Sequence, residues 1–251
     1  GGHKLFEAAG MNVSYFAYNT TTKMFKDAPA RIAVSQAINT EELVKSLYQG
    51  YSEKATTILP SFVPGYDASV KQVAYDAAAA KTGLAAVGIK KIHMIAYSNP
   101  RPYNAATGVA LATDIQGYLQ KVGVECTIDS FDWTTYKAKV KAGDYDIAFY
   151  GWIGDNGDPD NFLNLLADKD PSMNIARWQD PTYIGMIKKA LETANGPERD
   201  AESAAREKDA AARPVWLPIT QSTTCAVSRT RVYAWNHHVT VHGLPATDAV
   251  R

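Results

Sequence analysis

The stretch VECTIDSFDWTTYKAKVKAGDYDIAFYGW, residues 124–152, decides the fold. Its first eight residues, 124–131, read as a strand between turn residues. DWTTYKAKVKAG (132–143) reads as a helix, with Asp132 placed to cap it and Gly143 placed to end it. YDIAFYGW (145–152) is an apolar run of strand length. Upstream the pattern repeats: KKIHMIAYS (90–98) is a strand and ATGVALATDIQGYLQKVG (106–123) a helix. In that helix Leu111, Ile115, Tyr118 and Val122 follow i, i+4, i+7 spacing and form one apolar stripe. Strand, helix, strand, helix, strand predicts right-handed crossovers and a mixed, mostly parallel sheet covered by helices, an α/β fold.

Outside this unit, MNVSYFAYN (11–19) reads as a strand, 27–38 and 40–49 as helices with Thr40 as an N-cap, and 50–75 as a long irregular loop. Asp76 can cap an Ala-rich helix ending near Gly88. Helices follow at 160–167, 181–194 and 197–212. Residues 214–251 are strand-like and broken by Pro214, Pro218, Gly243 and Pro245.

The 251 residues are 46% hydrophobic, enough for one large core or two unequal ones. Lys plus Arg balances Asp plus Glu at 26 each, which argues against a nucleic-acid groove or a polybasic membrane surface. No apolar run is long enough to span a bilayer. No signal peptide is legible, and the Gly1-Gly2 start reads as a mature or trimmed beginning. Cys126 and Cys225 sit in no metal or redox motif; spacing leaves open both small buried hydrophobes and a disulfide.

In open α/β sheets, ligands bind beyond the carboxyl ends of the strands. Two loops are delivered there: NPRPYN (99–104) and IGDNGDPDN (153–161). In the second, Asp158-Pro159 suits a helix start, Asp160 suits the helix dipole, and Asn156-Gly157 suits a turn. Asp155 remains, either for an Asx-turn or for a ligand cation. In the first loop, Pro100 and Pro102 stiffen the backbone around Arg101, which is either solvated or a carboxylate clamp. An Asp and an Arg apart on one rim suit a zwitterion such as an amino acid or short peptide.

GMNVSYFAYNT, FKDAPARIAVSQAIN, LPSFVPGYD, RPYN, GWIGDNGDPDNF and RWQDP, in this order, resemble the dipeptide-binding proteins of bacterial ABC importers, family 5 extracellular solute-binding proteins, in their C-terminal lobe. GWIGDNGDPDNF is the most specific of these. The resemblance implies a type II periplasmic binding protein-like lobe. It implies no catalytic step and no cofactor, a short peptide ligand, a permease partner, and a periplasmic or extracellular setting that allows a membrane anchor. It implies that Asp155 pairs with the ligand's amino group and Arg101 with its carboxylate, with neighbouring contacts from Trp152, Gly154, Asn156 and Trp178. Residues 1–20 would be a hinge-proximal strand, 21–218 the ligand-binding lobe, and 219–251 strands returning to a first lobe that is absent here, unless a partner chain supplies it. The chain departs from the family at Asn39 and Thr40 and at Thr82-Gly83, where glycine in mid-helix costs about 0.5–1 kcal/mol relative to Ala.

Two alternatives stay open: a lone lobe serving as scaffold, sensor or engineered fragment, and a hydrolase using Asp155 with Asp158 or Asp160. There is no P-loop, GxGxxG, GxSxG or HExxH, and the acidic loop lacks EF-hand spacing. His238 and His242, four residues apart in a strand-like stretch, would stand ~13 Å apart, too far to share a metal.

Overall fold

The computed structural model describes residues 3–229. The centre of the fold is the five elements, three strands and two helices, read from the opening stretch and its upstream repeat. They are β4 (Lys91–Tyr97), α4 (Gly108–Lys121), β5 (Glu125–Phe131), α5 (Trp133–Ala142) and β6 (Ile147–Ile153). β4 pairs in parallel with β5 on one side, Tyr97 opposite Phe131, and with β6 on the other, Ile95 opposite Ala148. Asp132 caps α5 through its carboxylate to the N–H groups of Thr134 and Thr135, and Gly143 closes the helix at φ +83°. Leu111, Ile115 and Leu119 of α4 are buried, and Tyr118 and Val122 pack against or within the same core.

Beyond β6 the pairing turns antiparallel. β6 pairs with β2 (Asn12–Tyr18), and β2 with β7 (Trp216–Arg229). β7 in turn takes β1 (His3–Ala9) and the short β3 (Ser52–Lys54) as antiparallel neighbours. The path through the sheet is β1-β7-β2-β6-β4-β5. The expected α/β sheet is therefore mixed, its parallel part confined to β6-β4-β5. β2 is buried along its whole length, and Tyr15 stacks on Trp216 of β7 at 3.6 Å between ring centres.

The remaining helices are α1 (Ala28–Gln36), α2 (Thr40–Tyr48), α3 (Ala77–Ala86), α6 (Asp160–Leu163, continued by a 3-10 turn over Asn164–Ala167), α7 (Pro181–Glu192) and α8 (Pro197–Ala212). Asn39, not Thr40, caps α2: its Oδ1 accepts the Glu42 N–H at 3.1 Å. Asp76 caps α3 as expected. The mid-helix glycine has a packing reason, since a Cβ on Gly83 would lie 2.9 Å from the Ala33 Cβ of α1.

Both cysteines are free, Cys126 buried and Cys225 exposed, so the disulfide left open by the spacing does not form. Among the described residues no helix is long and apolar enough to cross a membrane, and no group of His, Cys, Asp and Glu is placed to hold a metal ion. His238, His242 and the end of the returning segment, from residue 230, lie outside the described residues.

Candidate functional site

β4 sends its chain through α4 to β5 on one side, while β6 sends its chain toward α6 and, eventually, β7 on the other. Adjacent parallel strands whose connections depart in opposite directions form a topological switch point, where a crevice opens at their carboxyl ends. The loop after β4 carries Arg101 and the loop after β6 carries Asp155, so the two flank that point.

The Arg101 loop is anchored from below. The Arg101 N–H donates to the Asn104 carbonyl at 2.9 Å and the Asn104 N–H returns to the Arg101 carbonyl at 2.8 Å, with Pro102 and Tyr103 at the tip. Asn104 is fully buried. Its Oδ1 accepts the Tyr48 hydroxyl and its Nδ2 donates to the Tyr97 hydroxyl, both at 2.7 Å. The Tyr103 ring covers Gly151, where any Cβ would come within 2.2 Å of it. The half-buried Arg101 lays its guanidinium over the Trp133 ring, 4.0 Å from the centroid. Its buried Nε has no hydrogen-bond partner, and no carboxylate among the described residues pairs with the group.

The Asp155 loop is held from the side. The Gly154 N–H donates to the Met11 carbonyl at 2.8 Å, and a Cβ on Gly154 would stand 2.8 Å from the Met11 side chain and 2.9 Å from the Phe162 ring. Asn161 Oδ1 accepts both the Asp155 N–H and the indole N–H of half-buried Trp152, each at 2.9 Å. Asn156 accepts the Asp158 N–H at 3.0 Å and Asp158 accepts the Asp160 N–H at 2.9 Å. These are the Asx-turns of the loop, so the turn alternative for the Asp155 carboxylate is filled by its neighbours. Asp155 itself is exposed, with only the Asn161 amide 3.4 Å from its carboxylate.

Asp158 and Asp160 are spoken for. Arg199 on α8 grips Asp158 with both terminal nitrogens, at 2.7 and 2.8 Å, and reaches Asp160 at 2.8 Å. Arg206, fully buried further along the same face of α8, meets Asp160 at 2.6 Å. Burial alone would raise the Asp158 carboxyl. The hydrogen bonds from Arg199 and the Asp160 N–H, with the charges of Arg199 and Arg206, more than offset it and hold the group below its ordinary value. The N-cap position of α6 is Pro159, not Asp158 as the sequence suggested; Asp158 serves the turn and the ion cluster instead, and Asp160 does more than meet a dipole. Two carboxylates and two guanidiniums neutralise one another, and Asp155 is left without a cation among the described residues.

Trp178 stands apart. It is 8% exposed, packs against Tyr183 and lies under Arg213. Sequence reading missed Asn104, Asn161, Trp133, Arg199 and Arg206. The last two had a weak signal: seven residues apart, they share one face of α8.

The family model for bacterial extracellular solute-binding proteins, family 5 Middle, matches residues 2–174. The dipeptide-binding protein of Pseudomonas aeruginosa is 33% identical over 195 residues, which are 76% of this chain and 36% of that protein. The structure of HbpA2 from Haemophilus parasuis superposes with a TM-score of 0.91 at 25% identity, over 99% of this chain and 50% of that one. The periplasmic binding protein DppA from Helicobacter pylori, solved with the peptide STSA, gives a TM-score of 0.83 at 25% identity, over 96% and 48%. The chain therefore spans about half or less of the length of the proteins it matches. The family match covers well over half of the chain, and the protein belongs to the bacterial extracellular solute-binding proteins of family 5.

Proposed function

We propose that the chain is the ligand-binding lobe of the peptide-binding component of an ABC-type importer, working in the periplasm or outside the cell. Asp155 accepts the ammonium end of a short peptide and Arg101 clamps its carboxylate, with Trp152, Gly154 and Asn156 shaping the rim and Trp178 behind it. A second lobe closes over the ligand and a permease receives it. One observation carries this reading. At one switch point stand an acid without a cation and a guanidinium without a carboxylate among the described residues, while the other acids of the Asp155 loop are paired with arginines of α8. Opposite unmatched charges on a shared rim select a zwitterion. Relatives named as dipeptide-binding proteins support the same class of ligand.

No chemical step is part of this function. Hydrolysis by a carboxylate pair needs a proton donor, and Asp158 is held ionised by Arg199. Calorimetry with a dipeptide, its N-acetylated form and its C-terminal amide tests the reading. Blocking either end is expected to weaken binding at least tenfold. Asp155→Asn is expected to mimic acetylation and Arg101→Ala to mimic amidation. Equal affinity for all three ligands would refute the zwitterion clamp.

A further inference from the structure

We propose that Trp133 is the positioning residue for Arg101: its ring sets where the guanidinium meets a ligand carboxylate, and so sets how strongly the protein prefers a free carboxyl terminus. The inference rests on the proposed function and deepens it on the carboxylate side only.

Arg101 has a long side chain in a short loop. The Arg101–Asn104 turn and the buried Asn104 fix its backbone but leave its side-chain torsions free. An arginine of this kind is ordinarily held by a carboxylate, and none of the described residues supplies one. The Trp133 face takes that place. With Cζ 4.0 Å from the ring centroid, the contact is well inside cation–π range. A ring offers charge stabilisation without consuming an N–H in-plane, so the donor edge of the guanidinium stays open to an anion. A carboxylate partner would have closed that edge.

Trp133 is itself fixed. It is the first residue of α5, directly after the Asp132 cap. Its ring stacks on Tyr136 at 5.8 Å between centroids, tilts against Tyr150 at 5.4 Å and meets Tyr97 edge-on at 5.7 Å. Tyr97 closes the circuit, because its hydroxyl accepts from the Asn104 amide beneath Arg101. Backbone and side chain of Arg101 are thus referred to one aromatic group that spans the ends of β4, β5 and β6.

The test compares native protein with Trp133→Leu and Trp133→Phe, using calorimetry with one dipeptide, its C-terminal amide and its N-acetylated form. Native protein is expected to favour the free acid over the amide at least tenfold. Trp133→Leu is expected to bring that ratio below threefold, chiefly by weakening the free acid. The ratio of free to N-acetylated ligand is expected to stay within twofold of native, because Asp155 does not depend on the ring. Trp133→Phe, the more conservative change, keeps a weaker π face and an aromatic contact with its tyrosine neighbours, and is expected to fall between. A general loss of structure would lower both ratios together and overturn the inference. Retention of the native acid-to-amide ratio in both variants would overturn it as well. If native protein itself shows no preference for the free acid, the zwitterion reading falls and takes this one with it.

Discussion

At the scale of single residues, the site depends on asparagines that make no claim on a ligand. Asn104 has two phenolic partners, Tyr48 of α2 and Tyr97 at the end of β4. Asn104→Ala removes two buried hydrogen bonds and leaves both hydroxyls without their partner. The expected cost is about 2–4 kcal/mol, from about 1–3 kcal/mol per unsatisfied buried group. Urea unfolding measures it, and a loss below about 1 kcal/mol would mean that the tyrosines find other partners. A second expectation concerns Arg199. Truncation to alanine strands Asp158 and reduces the cover on Asp160, whose side chains are 35% and 12% exposed. Removing one partner from such a cluster is expected to cost about 2–4 kcal/mol, discounted for the exposure of Asp158. Thermal unfolding of Arg199→Ala beside Arg199→Lys checks it: lysine supplies charge but not the two-pronged grip, so a fully native melting temperature in Arg199→Lys would show that the fork is not needed. The sequence made Asp155 and Arg101 stand out because their neighbours had evident local uses. It could not show Arg199, because 39 to 41 residues separate it from the acids it holds and no local pattern encodes that pairing.

At the scale of elements, the βαβαβ unit was legible because its information is local: caps, a helical stripe and apolar strand-length runs lie within single segments. The antiparallel half was legible only in part: β2 and a strand-like stretch from 214 were read, but their pairing was not. β3 is three residues long, too short for a pattern, and β7 runs unbroken through Pro218, which reads as a break in the sequence. Pro218 sits opposite Tyr15, where the β2–β7 register shifts, and a strand irregularity is where proline is tolerated. Gly83 misleads for a related reason. Helix propensity counts it as a weakness, and Gly→Ala in a free helix is expected to stabilise by about 0.5–1 kcal/mol. Here the sign reverses. A Cβ 2.9 Å from the Ala33 Cβ forces α1 and α3 apart, so Gly83→Ala is expected to destabilise by about 1–3 kcal/mol, the usual cost of overpacking. Ala33→Gly in the same chain should recover most of the loss. A Gly83→Ala variant that melts above the native protein would show that the helices separate freely.

At the scale of the whole molecule, the long loop between β3 and α3 is tied to α8 by a buried acid, and this makes global stability depend on pH. Glu207 is 2% exposed, and its Oε2 accepts the Asp67 N–H at 2.9 Å. Burial pushes its carboxyl up to about 7. The Thr57 hydroxyl and the N–H groups of Asp67 and Leu59 pull the other way, and the Asp67 carboxylate, itself paired with Lys208, adds to the rise. The unfolded chain has an ordinary glutamate near 4.5. Between the two values the folded state keeps the proton and the unfolded state releases it. Stability from this group is therefore complete below the unfolded value and is lost as pH rises through the folded one. The size is on the order of 3 kcal/mol, from about 1.36 kcal/mol for each pH unit that separates the two values. Carboxyls held low, such as Asp158 and Asp180, act in the opposite sense and only below the ordinary carboxylate range, so the two effects occupy separate windows. Glu207→Gln keeps an acceptor for the Asp67 N–H and removes the titration. Unfolding free energies measured at intervals from pH 4.5 to 8 are expected to fall in the native protein relative to the variant, with most of the divergence complete near pH 7.5. Parallel curves for the two proteins across that range would show that Glu207 ionises freely where it stands, and that the loop is not held to α8 by a protonated acid.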